Sequence, residues 1–288
     1  MVLAEQGQVL RAAVLGSPVA HSLSPLLHTT AYAALGLTDW TYTRREVTAD
    51  ELAGVVAGLD ESWRGLSLTM PLKEAAFDVA ATVSDVARDA GAVNTLVRRT
   101  DGGWDGHNTD VAGLAGALDA ALDAALAVDG HDDRATLLGS GATSRSAALA
   151  LVDLGVREVR VAARNTEAAA AVVALFESHG VAAGHVPLEH WVREPGRLVV
   201  STLPPSASTA VGALLEHDRT DLGGVTLLDV VYAEWPTPLA RAAQAHGADV
   251  VSGLEMLVRQ AALQVELFTG RAAPLEAMAE AARREVGA

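Results

Sequence analysis

From residue 135 the chain reads ATLL, GSGATS, SRSAALALVDLG and REVRVAA: an apolar run, a glycine-rich turn, a helical stretch and a second apolar run ending at Ala163. That order calls for a parallel βαβ unit, because parallel neighbours need a crossover long enough to hold a helix. Gly139 permits the tight turn after the first strand, and Gly141 lets backbone approach a pyrophosphate. Ser140, Ala142 and Thr143 belong to the same candidate cofactor loop, and Ser144 takes the place where Gly or Ala gives the closest helix packing. The slightly larger serine weakens that match. A glycine turn serving no nucleotide is the plain alternative, and the βαβ context counts against it.

The same alternation runs along the whole chain and predicts an α/β fold with mostly parallel sheets. Strands are expected at 9–16, 40–47 and 65–69, and a helix at 24–36 with Ser24 as N-cap, Pro25 at the first position and Gly36 past the end. Segments 93–99 and 104–108 flank Asp101-Gly102-Gly103, a hairpin signal. A helix over 109–126 is capped by Thr109 or Asp110, and the polar stretch 128–134 separates it from the βαβ unit. The run 226–232 reads as a further strand and 253–268 as a further helix. A length of 288 residues favours two domains.

Composition narrows the classes of partner. A formal charge of −15 argues against a nucleic acid or an anionic membrane, both of which would repel most of the surface. The absence of cysteine excludes disulfides, thiolate metal sites and a cysteine nucleophile. The nine histidines fall into no ligand spacing, so no metal is expected. The start MVLAEQGQVLRAAVLG lacks a basic segment followed by an apolar one, and no apolar run approaches the roughly 20 residues that span a bilayer. A cytoplasmic location is the expectation.

Cofactor choice turns on the end of the second strand of the βαβ unit. An Asp or Glu there holds a ribose 2′-hydroxyl, whereas an arginine meets a 2′-phosphate. Here the residues are Ala163-Arg164-Asn165-Thr166, with no carboxylate. Arg164 either forms charge-assisted bonds to a phosphate or is a solvated loop charge, and the missing carboxylate favours NADP.

One position outside that unit stands apart: Lys73 is the only lysine in the chain. It lies in TMPLKE, where Pro71 suits the first position of a helix. Lys73 would then occupy the turn in which the macrodipole disfavours cations. Nearby, Ser22 and Ser24 precede a helix and can donate to an anion such as a carboxylate, or serve only as caps. Asn94 interrupts an apolar run with a side chain that both donates and accepts. Asp110 opens a helix, which a capping carboxylate also does.

Together these segments resemble the shikimate dehydrogenase family over nearly the whole chain. GSPVAHSLSPLLH is similar to its GxPxxHSxSPxxH signature, LTMPLKE to VTxPxKE, AGAVNTL and GHNTDVAG to AxNT and GxNTDxxG, and SGLEMLVRQAA to DGxxMLxxQA. The resemblance implies an N-terminal α/β substrate domain (1–109, completed by 253–288) and a Rossmann-type NADP-binding domain (110–252). It implies hydride transfer between NADPH and the C3 carbonyl of 3-dehydroshikimate, in aromatic amino-acid biosynthesis, by a monomer or homodimer. It further implies Lys73 and Asp110 as the catalytic pair, Ser22, Ser24 and Tyr232 at the substrate carboxylate, and Thr69, Asn94 and Gln260 at its ring hydroxyls. Arg164, Asn165 and Gly253 join the glycine turn at the cofactor. Gln260 can alternatively be a boundary residue of an amphipathic helix face, and Tyr232 a strand residue with a wet hydroxyl.

A lysine amine can hand over the proton that the C3 oxygen needs, and a guanidinium with a pKa above about 12 cannot. Several positions depart from the family pattern. The glycine turn is GSGATSR rather than GAGGAxR, though Arg145 is kept. Ala163 precedes Arg164, and Ala168 stands where a second arginine is expected. Ser67 and Met70 replace the usual Asn and Val around Thr69. Two rival readings follow, an NAD-dependent quinate/shikimate dehydrogenase and a non-catalytic dinucleotide-sensing module; Lys73 with Asp110 counts against the second.

Overall fold

The computed structural model describes residues 9–125 and 133–287. The chain divides into two compact units, Met1–Thr109 with Gln260–Ala288, and Asp110–Arg259. Most of the polar stretch expected at 128–134 lies outside the described residues.

The first unit runs β1 (Leu10–Gly16), α1 (Ser24–Ala34), β2 (Trp40–Glu46), α2 (Ala49–Ala57), β3 (Trp63–Leu68), α3 (Leu72–Ala75), β4 (Thr82–Val83), α4 (Asp85–Asp89), β5 (Thr95–Arg98) and β6 (Trp104–His107). Its sheet has the order β2-β1-β3-β5-β6-β4. β1 pairs in parallel with both β2 and β3, and the β5–β6 hairpin adds antiparallel to β3. Apolar residues bury both faces of β1, as a central parallel strand requires. Ala13 and Leu15 pack with Leu52, Val56, Leu66 and Leu68, while Ala12 and Val14 pack with Tyr32, Tyr42 and Phe268.

The second unit runs α5 (Asp110–Ala125), β7 (Arg134–Leu138), α6 (Ala142–Asp153), β8 (Glu158–Ala163), α7 (Thr166–Ser178), β9 (Ala182–Pro187), β10 (Leu198–Ser201), α8 (Pro205–Asp218), β11 (Thr226–Asp229), α9 (Pro238–Ala245) and β12 (Asp249–Ser252). The six strands are parallel in the order β12-β11-β10-β7-β8-β9, a doubly wound sheet whose winding reverses between β7 and β10. The period of two decides which side chain meets which helix layer. Leu198 and Val200 of β10 enter one core with Leu118, Leu151 and Phe176, and Val199 enters the other with Trp191, Leu215 and Leu239. Two further helices, α10 (Gly253–Thr269) and α11 (Leu275–Val286), follow; α11 packs on α1 within the first unit. No helix among the described residues is long and apolar enough to cross a membrane.

Four local expectations are corrected. The first unit resumes at Gln260 rather than at 253, because the opening turns of the unbroken α10 belong to the second unit, whose core buries Met256. Leu23, not Ser24, takes the N-cap place of α1; Ser24 is the first helical residue, and the Ser22 hydroxyl accepts its N–H at 3.3 Å. Pro71 precedes α3, which is four residues long and passes into a 3-10 turn over Ala76–Asp78. So short a helix sums few peptide dipoles, which removes the electrostatic objection to a cation at Lys73. Finally, β11 stops at Asp229, which leaves Tyr232 in the following loop.

Candidate active and cofactor sites

In the second unit the switch point between β7 and β10 opens a cleft of about 500 Å³ lined by Gly139, Ser140, Gly141, Arg164 and Asn165. Ala163 also lines it, and Leu188, Thr202, Leu203 and Pro204, none of which stood out in the sequence, complete it. Gly139 has φ +115°, and a Cβ there would lie 2.4 Å from Thr202 Oγ1. Glycine at 139 is thus demanded by the fold. At Gly141 a Cβ would meet nothing within 4 Å, so no protein atom demands glycine there. The Gly141 N–H donates to Ser144 Oγ (3.0 Å), the Ser144 hydroxyl pairs with Thr202 Oγ1 (2.7 Å), and Thr202 donates to the Leu138 carbonyl (2.9 Å). Ser144, read as a slight misfit, therefore ties the turn to the end of β10.

Ala142 and Thr143 form the first turn of α6, whose N–H groups point out of its N-terminus. Arg164 is exposed at the end of β8, and its guanidinium makes no hydrogen bond or ion pair among the described residues. Asn165 caps α7 by accepting the Ala168 N–H at 3.0 Å. Gly253 does not line the cleft. It opens α10 against the backbone of Val230, where a Cβ would fall 2.0 Å from the Val230 carbonyl oxygen.

Tyr232 sits half-buried in the loop after β11. Asp229 anchors that loop: its carboxylate accepts the Thr237 hydroxyl (2.8 Å) and the Val231 N–H (3.3 Å). Burial raises the Asp229 pKa, and the hydrogen bonds from Thr237 and Val231 partly offset this.

In the first unit, Asn94 is 1% exposed and precedes β5. Its Oδ1 accepts the Thr109 backbone N–H (2.8 Å) and the Thr95 hydroxyl (2.8 Å), and its Nδ2 donates to Thr109 Oγ1 (2.9 Å). Thr109 Oγ1 in turn lies 3.5 Å from Gln260 Oε1. Lys73 is half-buried in α3, and its backbone carbonyl accepts the Val93 N–H at 2.8 Å, which fixes α3 to the segment carrying Asn94. Thr69, at the end of β3, donates its N–H to the Leu15 carbonyl at 2.9 Å. Ser24 is buried at the start of α1. Asp110, 4% exposed, begins α5 immediately after Thr109.

His28 is a residue the sequence reading passed over. It is fully buried, stacked on Tyr42 with ring centroids 3.9 Å apart, and its Nε2 lies 3.3 Å from Gln264 Oε1. Desolvation lowers its pKa to about 3, with the Gln264 hydrogen bond acting in the opposite direction. A base with a lowered folded-state pKa is protonated first in the unfolded chain. Its contribution to stability is therefore intact above the ordinary value of 6.5 and is lost as pH falls from there towards 3, at up to about 1.4 kcal/mol per pH unit. His28→Phe keeps an aromatic ring in the stack and removes the titration. The expected result is a flatter dependence of unfolding free energy on pH between about 6 and 4 than in the unmodified protein. Denaturant titrations across that range check it, and parallel curves for the two proteins would contradict it.

A doubly wound unit with a glycine turn at its switch point, joined to an α/β unit with a buried polar cluster beside a lone lysine, defines a dinucleotide-dependent oxidoreductase. Residues 14–96 match the model of the shikimate dehydrogenase substrate binding domain, and residues 253–283 that of the shikimate 5'-dehydrogenase C-terminal domain. Among curated proteins, shikimate dehydrogenase (NADP(+)) of an Anaeromyxobacter species is 41% identical over 276 residues, 93% of this chain and 94% of its own. Among solved structures, shikimate dehydrogenase of Mycobacterium tuberculosis is 43% identical with a TM-score of 0.83, covering 96% of this chain and 99% of that one. Shikimate 5-dehydrogenase of Thermus thermophilus, in complex with NADP(H) and shikimate, is 37% identical with a TM-score of 0.79 and the same coverage. The chain belongs to the shikimate dehydrogenase family.

Proposed function

We propose that this protein is an NADP-dependent shikimate dehydrogenase, reversibly reducing 3-dehydroshikimate to shikimate in aromatic amino-acid biosynthesis. The first unit is the substrate domain and the second the cofactor domain. The observation that carries the reading is the buried cluster of Asn94, Thr109 and Gln260, with Lys73 tied to the same segment and Asp110 next in the chain.

The second unit's residues fit the cofactor. Gly141 is open where no protein atom requires it, the α6 N-terminus suits a pyrophosphate, and Arg164 suits a 2′-phosphate. When bound, NADPH supplies the hydride. The chain's own residues do the rest: Lys73 gives a proton to the C3 oxygen in reduction and takes it back in oxidation, and Asp110 orients the Lys73 amine. Ser22, Ser24 and Tyr232 hold the substrate carboxylate, and Thr69, Asn94 and Gln260 hold the ring hydroxyls. The formal charge of −15 suits a small-molecule substrate rather than a nucleic acid or an anionic membrane, and the enzyme is read as cytoplasmic, a monomer or homodimer.

Steady-state oxidation of shikimate and of quinate, each with NADP and NAD, tests the reading. The highest kcat/KM is expected for shikimate with NADP. Arg164→Ala is expected to lower kcat/KM for NADP about 10- to 100-fold, the worth of one charge-assisted bond to phosphate, with NAD affected about threefold or less. Higher efficiency with NAD in the unmodified enzyme would overturn the role of Arg164 and favour the NAD-dependent reading, for which Ala168 in place of a second arginine is the supporting feature.

A further inference from the structure

The hydrogen bonds around Asn94 continue into the interior of the first unit as a chain with a single direction. The Tyr42 hydroxyl donates to Ser67 Oγ (2.6 Å), and the Ser67 hydroxyl donates to Gln264 Oε1 (2.6 Å). From the other end of the same amide, Gln264 Nε2 donates to Thr95 Oγ1 (2.9 Å), and the Thr95 hydroxyl donates to Asn94 Oδ1 (2.8 Å). Ser67, Gln264, Thr95 and Asn94 are each at most 4% exposed, so solvent cannot substitute for a missing partner.

Each hydroxyl carries one hydrogen, so a direction imposed at any link propagates to its neighbours. Two backbone groups impose it. The Thr109 N–H can only donate, and it meets Asn94 Oδ1 at 2.8 Å. The Asn94 carbonyl can only accept, and Gln264 Nε2 faces it at 3.4 Å. Both amides are thereby oriented without ambiguity. Two donors occupy Asn94 Oδ1 and Nδ2 already donates to Thr109 Oγ1 at 2.9 Å, so the nitrogen is the atom through which that side chain can donate to a ligand. Ser67, a departure from the family pattern at the sequence level, is the link that joins Tyr42 to the Gln264 amide.

We propose that Gln264 is a positioning residue for substrate recognition: acting through Thr95, and held by Ser67, it fixes the amide of Asn94 so that Asn94 donates to a ring hydroxyl oxygen of the substrate. This rests on the assignment of Asn94 as a ring-hydroxyl contact. Gln264 touches no reacting atom, so its loss acts on binding of shikimate and not on hydride transfer. The sequence did carry a signal for it, since Gln264 lies one helical turn after Gln260 on the same face of α10.

Gln264→Met and Thr95→Val, each made in the full chain, test the proposal against Thr95→Ser, which keeps the hydroxyl, and Asn94→Ala. Gln264→Met and Thr95→Val are each expected to raise KM for shikimate about three- to tenfold, the range of one hydrogen bond, with kcat and KM for NADP within about twofold. Thr95→Ser is expected to stay near the unmodified enzyme. The double variant should cost less than the product of the two single effects, because both break one chain. An unchanged KM for shikimate in folded Thr95→Val, with Asn94→Ala raising it, would overturn the role of Gln264 while leaving Asn94 in place. An unchanged KM in Asn94→Ala would overturn both this proposal and the assignment of Asn94. A matching fall in kcat and in NADP affinity would mark a general structural defect and overturn the proposal too. If Gln264→Met does not fold, Thr95→Val alone decides.

Discussion

Replacing Lys73 by arginine is expected to lower kcat for shikimate oxidation by about 10²- to 10⁴-fold, the span that general acid–base catalysis supplies. The charge is kept, so a purely electrostatic role would survive the change. The proton is not, because a guanidinium does not release one near neutral pH. One contact that holds α3 in place, from the Val93 N–H to the Lys73 backbone carbonyl, does not involve the side chain and is kept in the variant. Thermal unfolding of the variant, beside its kcat and both KM values, separates the two effects. Near-normal turnover would sink the assignment. Because Lys73 carries the only side-chain amine, its reactivity with an amine reagent should also fall when shikimate is bound.

The second large effect concerns stability. Gly253→Ala is expected to destabilise the protein by about 1–3 kcal/mol, a typical cost of overpacking, and to lower the melting temperature by several degrees. The new Cβ would stand 2.0 Å from the Val230 carbonyl oxygen and 2.8 Å from its Cα. Backbone cannot step aside as a flexible side chain does, so either the start of α10 or the loop after β11 has to move. Gly141→Ala offers the contrast. With nothing within 4 Å of its Cβ, it should change stability by about 1 kcal/mol or less, the scale of a helix-cap substitution, while raising KM for NADP. Differential scanning calorimetry with KM for NADP on both variants tells a glycine required by the fold from one required by a ligand. Equal melting temperatures for Gly253→Ala and the unmodified protein would refute the packing argument.

What could be read from the sequence was whatever is encoded locally. The turn after β7, the hairpin around Asp101-Gly102-Gly103 and the start of α5 each depend on residues within a few positions of one another, and the structure has them close to where they were expected. The cleft at the switch point between β7 and β10 was legible only along one wall. Leu188, Thr202, Leu203 and Pro204 enter it from chain segments that no spacing rule links to the glycine turn, and they reach it through strand order, which is tertiary information. Ser67 could be seen as unusual, but its partners Tyr42 and Gln264 are 25 and 197 residues away. The shortness of α3 was illegible for a different reason: Pro71 signals where a helix can begin and carries nothing about where it ends.

The first unit is assembled from two stretches of chain separated by the whole of the second, and this sets an order of events during synthesis. The ribosome completes Asp110–Arg259 before it makes Gln260–Ala288, so the doubly wound sheet can close while the earlier sheet still lacks Gln264, Phe268 and α11. At ~5–20 residues per second, the wait is on the order of ten seconds. Through that interval Ser67, Thr95 and the apolar face around Tyr42 have to do without the partners that will cover them. The part of the nascent chain made first is thus the last to mature, and it is the part in which a chaperone would find exposed surface.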